Sequence, residues 1–276
     1  MADSLPPIFL ATAIEAVTRA GETQLASFGT GVRIDKKGAI DLVTEIDLKI
    51  EREFRQLIAE RFPDHGVLGE EFGASGDRDA VEPYCWVFDP VDGTTNYAHG
   101  LPIFCSSLAL EIDGHIAVGA IYDPTRRELF TAERGHGAWL NGRPLRVSSE
   151  DTLLDSLLVT GFHYGIQRDP EELVGLFREF LTRARAVRRL GSAALDLCYV
   201  AAGRFDGYWE SKIQPWDVAA GGLIVEEAGG RVTTITGERF RSRGGSVIAT
   251  NGRIHDLMLE VIVGYEERAR SRNRTQ

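Results

Sequence analysis

The chain has no run of roughly 20 apolar residues, the length a bilayer-spanning helix needs, so no membrane span is expected. Met1-Ala2-Asp3-Ser4 lacks a basic segment followed by a long apolar one, and no signal peptide is expected. Cysteine is scarce. Cys85, Cys105 and Cys198 make an odd count without CxxC spacing, which points to buried, reduced thiols in a cytoplasmic protein. None has a basic neighbour in sequence to favour a thiolate, so a catalytic cysteine is not expected. Positive charge is in deficit: the formal net charge is −10. That weighs against a general nucleic-acid binder. It does not disfavour a phosphorylated substrate, because bound cations invert the local field. There is no GxSxG, no HExxH and no GxxxxGK[ST], and none of the six histidines falls in a metal-spacing cluster. His99 reads as a structural or rim residue. Internal repeats and low-complexity linkers are absent as well.

What is present is 276 residues of ordinary globular composition, enough for one large domain or two packed subdomains. Apolar spacing predicts a helix over 5–28 and a second from Thr44, with Thr44 and Asp47 at capping-box spacing and Pro63 as the stop. Residues 30–43 read as extended or loop, with Lys36 and Lys37 solvated. Val67-Leu68-Gly69 leads to Glu70-Glu71 and a Gly- and Asp-rich loop to about Pro83. Strands then alternate with turn signals, Asp113-Gly114 being a type I′ candidate and Asn141-Gly142 another turn. Near 148–151 the pattern changes to alternating strands and helices. Strands are predicted at 157–160, 187–190, 208–210, 231–234 and 246–250. Helices are predicted from Asp169-Pro170, from Ser192 as cap to about Gly203, from Asp217 to Gly229, and over 254–265. The Arg-containing tail, 266–276, reads as a frayed, solvated end. The expectation is an α+β N-terminal part, 1–148, and an α/β C-terminal part, 149–276.

One stretch stands out: Trp86-Val87-Phe88-Asp89-Pro90-Val91-Asp92-Gly93-Thr94-Thr95-Asn96. A buried strand should not end in two acids without compensation, since unpaired carboxylates near a core are costly. No Lys or Arg occurs from 79 to 125. Hard divalent cations are the natural partners, because Mg²⁺ favours carboxylates, carbonyls and water. Asp89, the Val91 carbonyl and Asp92 offer three such ligands in one short turn. The N–H groups of Gly93 and Thr94 would face a phosphate if a short helix starts there. Asp89 and Asp92 are separated by two residues, not one, so a phospho-aspartate intermediate is not expected.

With these residues in view, the chain resembles the inositol monophosphatase family. The match is carried by Gly69-Glu70-Glu71, by 86–96, by Pro215-Trp216-Asp217-Val218-Ala219-Ala220-Gly221, and by Asp41-Leu42-Val43-Thr44-Glu45-Ile46-Asp47. It spans nearly the whole chain. The resemblance implies a layered αβαβα sandwich of the α/β class and Mg²⁺-dependent hydrolysis of small phosphomonoesters, typically inhibited by Li⁺. It implies that Glu70, Asp89 and the Val91 carbonyl hold one metal and that Asp89, Asp92 and Asp217 hold a second. A third, weaker ion would sit near Glu70 through water. Thr94, supported by Asp47, would orient the attacking water, making Glu70, Asp47 and Thr94 the expected catalytic residues.

The same resemblance sets Gly93, Thr94, Gly191, Ser192, Ala193, Glu210 and Asp217 against the substrate, with Glu210 on its hydroxyls. Phe162-His163-Tyr164-Gly165 lies where members diverge. The expected reaction is conversion of inositol monophosphate to inositol and phosphate by a cytoplasmic homodimer. Glycerol 2-phosphate falls within the expected range. Histidinol-phosphate phosphatase is the nearest rival, followed by phosphatases for fructose 1,6-bisphosphate or 3′-phosphoadenosine 5′-phosphate. A regulatory binding protein with vestigial hydrolysis is the alternative of a different class.

Overall fold

The computed structural model describes residues 5–31, 33–36, 42–75, 83–167 and 170–273. The chain starts with α1 (Pro7–Ser27), β1 (Ile34–Lys36), β2 (Leu42–Thr44), α2 (Glu45–Arg61), β3 (Gly66–Gly69), β4 (Gly73–Ala74), β5 (Tyr84–Asp92) and α3 (Thr94–Ala98). A meander follows: β6 (Cys105–Ile112), β7 (His115–Asp123), β8 (Glu128–Glu133), β9 (Ala138–Leu140) and β10 (Arg143–Pro144). The remainder is β11 (Leu157–Thr160), α4 (Pro170–Leu181), β12 (Ala186–Arg188), α5 (Ala193–Ala201), β13 (Gly207–Ser211), α6 (Pro215–Glu227), β14 (Arg231–Thr233), β15 (Ser246–Thr250) and α7 (His255–Asn273).

The layers follow from strand alternation, in which successive side chains face opposite sides. On β5, Trp86 and Phe88 join a core with Ala13, Val17, Ile50, Phe54 and Ile58 of α1 and α2. Val87, between them, faces the opposite core with Leu195 and Leu197 of α5 and Leu223 and Ile224 of α6. On the far side of α5 and α6, Tyr208 and Val247 enter that same core. Trp209 and Ile248, one residue on, face Phe180 of α4 and Met258 and Ile262 of α7. The result is α1/α2, an eight-stranded sheet, α5/α6, a five-stranded sheet and α4/α7, an αβαβα sandwich as expected.

The larger sheet runs β10-β9-β8-β7-β6-β5-β3-β4 and the smaller β12-β11-β13-β15-β14. In the larger, β5 lies between parallel β3 and antiparallel β6. The turn at Asp113-Gly114 has φ of 50° and 73°, both positive as a type I′ hairpin requires. Thr44 and Asp47 form the expected capping box on α2.

Four expectations need correction. The helix assigned to Asp217 begins two residues earlier, at Pro215, because Pro fits the first turn without needing its missing N–H. The terminal helix does not stop at Tyr265 but continues to Asn273, well into the segment read as frayed. The loop after Glu71 contains a two-residue strand, Gly73–Ala74, paired with β3. The strand expected at 187–190 is Ala186–Arg188. Lys36 is exposed, as read. Lys37, Asp41 and Asp169 lie outside the described residues. Among the described residues, no helix is long and apolar enough to cross a membrane.

Candidate active site

In a regular strand, residues three apart point to opposite faces. Asp89 and Asp92 converge because β5 is irregular between them: Asp89 pairs with Ser107 and Asp92 with Cys105, so three steps on β5 meet two on β6. Pro90 sits in this bulge, where its missing N–H costs no ladder bond. Its carbonyl accepts the buried Gln24 amide at 2.8 Å and the Ser106 hydroxyl at 3.1 Å. Gly93 then turns the chain at φ 95°, and a Cβ there would meet the Ile103 carbonyl at 2.8 Å. The short helix α3 starts at Thr94, as anticipated.

Asp217 arrives from α6, its carboxylate accepting the Gln214 N–H at 3.0 Å. The oxygens that Asp89, Asp92 and Asp217 offer all lie within 4.8 Å of one another. No Lys or Arg among the described residues forms an ion pair with them. Burial, then the charges of Glu70, Asp92 and Asp217, raise the Asp89 carboxyl well above its usual range. Burial followed by Asp92 and Glu70 does the same to Asp217. Asp92 is also raised by burial, although hydrogen bonds from Ser192, Ala194, Ala193 and Cys105 pull it back. Three crowded carboxylates, all hard oxygen donors and without an ion-pair partner among the described residues, fit a divalent metal.

Asp92 also ties β5 to the start of α5. Its Oδ2 accepts the Ser192 hydroxyl at 2.6 Å and the Ala194 N–H at 2.7 Å, and Oδ1 accepts the Ala193 N–H at 3.3 Å. The N-terminus of α5 is therefore capped by an acid from the larger sheet, where its dipole favours negative charge. Ser192 occupies the N-cap position, but its side chain makes no capping bond to its own helix. Asn96 supplies a second tie, donating to the Ile103 carbonyl at 2.8 Å and the Leu190 carbonyl at 2.9 Å.

Thr94 lies 3.1 Å from Asp47 Oδ1 and 2.8 Å from the Val91 carbonyl, both acceptors for its single proton. Asp47 is held by Thr44, whose N–H donates at 3.0 Å and whose hydroxyl donates to the same carboxylate. Glu70 stands outside the three-acid set, yet near enough to raise Asp89 and Asp217.

A cavity of about 740 Å³ runs from these acids past Gly191, Ser192 and Ala193 to Glu210. Glu210 accepts the Tyr208 hydroxyl at 2.6 Å, and burial pushes its carboxyl up to about 7. Gly161 leaves the space that Glu210 fills, since a Cβ there would lie 1.8 Å from Oε2. Phe162 and His163 also line the cavity.

The family profile described as the inositol monophosphatase family matches residues 8–267. The chain belongs to the inositol monophosphatase family. An inositol-1-monophosphatase from Synechocystis sp. is 44% identical over 92% of this chain and 88% of its own length. A Neisseria meningitidis protein named putative Nus factor SuhB is 40% identical over 92% of this chain and 97% of its own. The structure of inositol monophosphatase from Anabaena (Nostoc) sp. superposes with a TM-score of 0.84 at 42% identity, covering 93% of this chain and 96% of that one. As a member of the inositol monophosphatase family, the chain is a phosphoric monoester hydrolase of a generally metal-dependent kind.

The sequence motifs and the family resemblance pointed to Glu70, Asp89, Asp92 and Asp217, which all line this cavity. They did not reveal Gln24, Glu51 or Asp196, each a polar residue that its helix buries. Asp196 lines the cavity from the first turn of α5, and both of its buried carboxyl oxygens lack a hydrogen-bond partner among the described residues. A polar residue in a strongly apolar helix, Ala193–Ala201, was the available signal.

Proposed function

We propose that the protein hydrolyses inositol monophosphate to inositol and phosphate, with two to three Mg²⁺ ions per site. The observation that carries this reading is the set of three acids within 4.8 Å, unpaired with any described cation, at one end of a cavity whose other end is Glu210. Asp89, Asp92 and Asp217 would hold one ion, and Glu70, Asp89 and the Val91 carbonyl another. Divalent cations there supply Lewis acidity, acidifying water and offsetting charge on the phosphoryl oxygens.

The protein's own groups do the rest. Thr94 gives its proton to Asp47 or to the Val91 carbonyl, which leaves its oxygen free to accept from, and so orient, the attacking water. Asp47 is fixed for this by its bonds to Thr44. Gly93 and Thr94 would meet the phosphate, and Gly191, Ser192 and Ala193 the ring. Glu210 would accept hydroxyls when ionised. Homodimeric assembly, a cytoplasmic location and Li⁺ inhibition belong to the same proposal and rest on the family alone. A division at 148/149 also belongs to the proposal, supported by every strand of the larger sheet preceding it and every strand of the smaller following it.

A substrate panel with Mg²⁺ tests the reading. Inositol 1-phosphate is expected to give the highest kcat/KM, with glycerol 2-phosphate also turned over. A preference above about tenfold for histidinol phosphate, roughly 1.4 kcal/mol, would overturn the choice. The Nus-factor name of a relative at 40% identity favours a second, binding role. The complete acid set keeps hydrolysis as the first reading.

A further inference from the structure

The loop carrying Glu70 is held from beneath by a side chain with no part in the chemistry above. Glu51 of α2 is completely buried. Its Oε2 accepts the Glu71 N–H at 2.7 Å and its Oε1 the Phe72 N–H at 3.2 Å. Arg55 donates to Oε1 from Nε at 2.9 Å and from Nη2 at 2.7 Å, and Nη2 also donates to the Gly73 carbonyl. On the other side of Glu70, a Cβ on Gly69 would lie 2.1 Å from Oε1. The guanidiniums of Arg52 and Arg55 lie over the Phe72 ring at 5.3 and 5.8 Å.

Residues 69, 71, 72 and 73 therefore close on the Glu51–Arg55 pair, while the N–H of Glu70 itself donates to the Phe88 carbonyl at 3.3 Å. That carbonyl directly precedes Asp89. The Glu70 backbone is pinned between α2 and the strand bearing two of the three acids. A buried ion pair is weak evidence of stabilisation, because desolvation offsets its attraction. The value of this one is geometric: a carboxylate accepts from several donors at fixed directions, and a neutral isostere cannot satisfy them all. Glu70 lies outside the three-acid set, so its reach toward Asp89 depends on where this loop sits.

We propose that Glu51 is a positioning residue that sets the reach of Glu70 and thereby the divalent-cation affinity of the site. The proposal rests on the reading of Glu70 as a metal ligand. The test is Mn²⁺ binding, followed by electron paramagnetic resonance, in wild type, Glu51→Gln, Glu70→Gln and the double variant. Glu51→Gln is expected to weaken binding about 10- to 100-fold, the usual cost of losing a group that orients a ligand. In the Glu70→Gln background the same change should add less than about threefold, since coupled residues are not additive. Half-saturating Mg²⁺ for phosphate release should rise with the Mn²⁺ constant, with turnover at saturating Mg²⁺ within about twofold of wild type.

Equal weakening by Glu51→Gln in both backgrounds would overturn the proposal, as would no weakening in either. Unchanged Mn²⁺ binding in Glu70→Gln would overturn the ligand reading and the positioning role with it. Amide exchange of metal-free wild type needs no variant: the Glu71 and Phe72 N–H groups should be protected, and fast exchange at both would contradict the clamp.

Discussion

Single residues differ in how much two roles overlap on them. Asp92 is a candidate ligand and also the cap of α5, so it is held by hydrogen bonds before any metal arrives. Ser192 carries only the supporting half of that arrangement. Ser192→Ala is expected to weaken Mg²⁺ activation by about tenfold, within the range for groups behind a metal ligand, while leaving the fold intact. A titration of activity against Mg²⁺ checks this, and an unchanged midpoint would show the hydroxyl to be dispensable. The acids at 89 and 92 were legible in the sequence because chemistry and local context coincide there, at a strand end and a glycine turn, whereas Asp217, by itself an ordinary helix-start acid, was reached only through the family resemblance. Glu51 and Asp196 were not legible, because what makes each unusual is a contact with residues distant in sequence. Glu51 meets an amide 20 positions on, and Asp196 feels the charges of Asp92 and Glu210 across the fold.

At the scale of elements, periodicity located most helices and strands, and burial on alternate faces explains why. It failed at ends decided by a single contact. The start of α6 is set by Pro215 and a backbone bond to Asp217, and the length of α7 was hidden by a polar, arginine-containing sequence. Helix α2 shows how an element end serves the site. Thr44 caps it and also grips Asp47, the group behind Thr94. Thr44→Ala is expected to cost about 1–2 kcal/mol of stability through the lost cap, read from the urea midpoint at constant slope. It should also lower kcat, because Asp47 loses its anchor; loss of stability with kcat intact would separate the two roles. Beyond the cap, the apolar residues of α2 pack into the core. Phe54 and Phe88 lie 4.3 Å apart between ring centroids, and Phe88→Ala should cost about 3–5 kcal/mol.

At the scale of the whole molecule, the fold brings like charges together across two sheets, and its stability should show it. Asp89, Asp92, Asp217, Asp196 and Glu210 all have carboxyls raised above their ordinary range, burial being the first cause in each. The native state then holds more protons than the unfolded chain above about pH 4, so this contribution to stability falls as pH rises, through about 7 for Glu210. In EDTA, Tm is expected to fall between pH 6 and 8. Mg²⁺ at about 100 times its Kd should add about 2.7 kcal/mol at pH 8, and less at pH 6 where protons compete. A metal-free Tm that rises across this range would contradict the picture of crowded, protonated acids. The central claim is that these acids hold the cations on which hydrolysis depends. It is tested most directly by phosphate release from inositol 1-phosphate as Mg²⁺ is raised from an EDTA-treated start, in wild type and in Asp92→Asn with its fold verified by circular dichroism. The expected result is no release without metal, saturable activation in wild type and a loss of at least about a hundredfold in Asp92→Asn, beyond the 10–100-fold typical of groups that merely support a ligand. Wild-type turnover by Asp92→Asn, or by the metal-free enzyme, would contradict it.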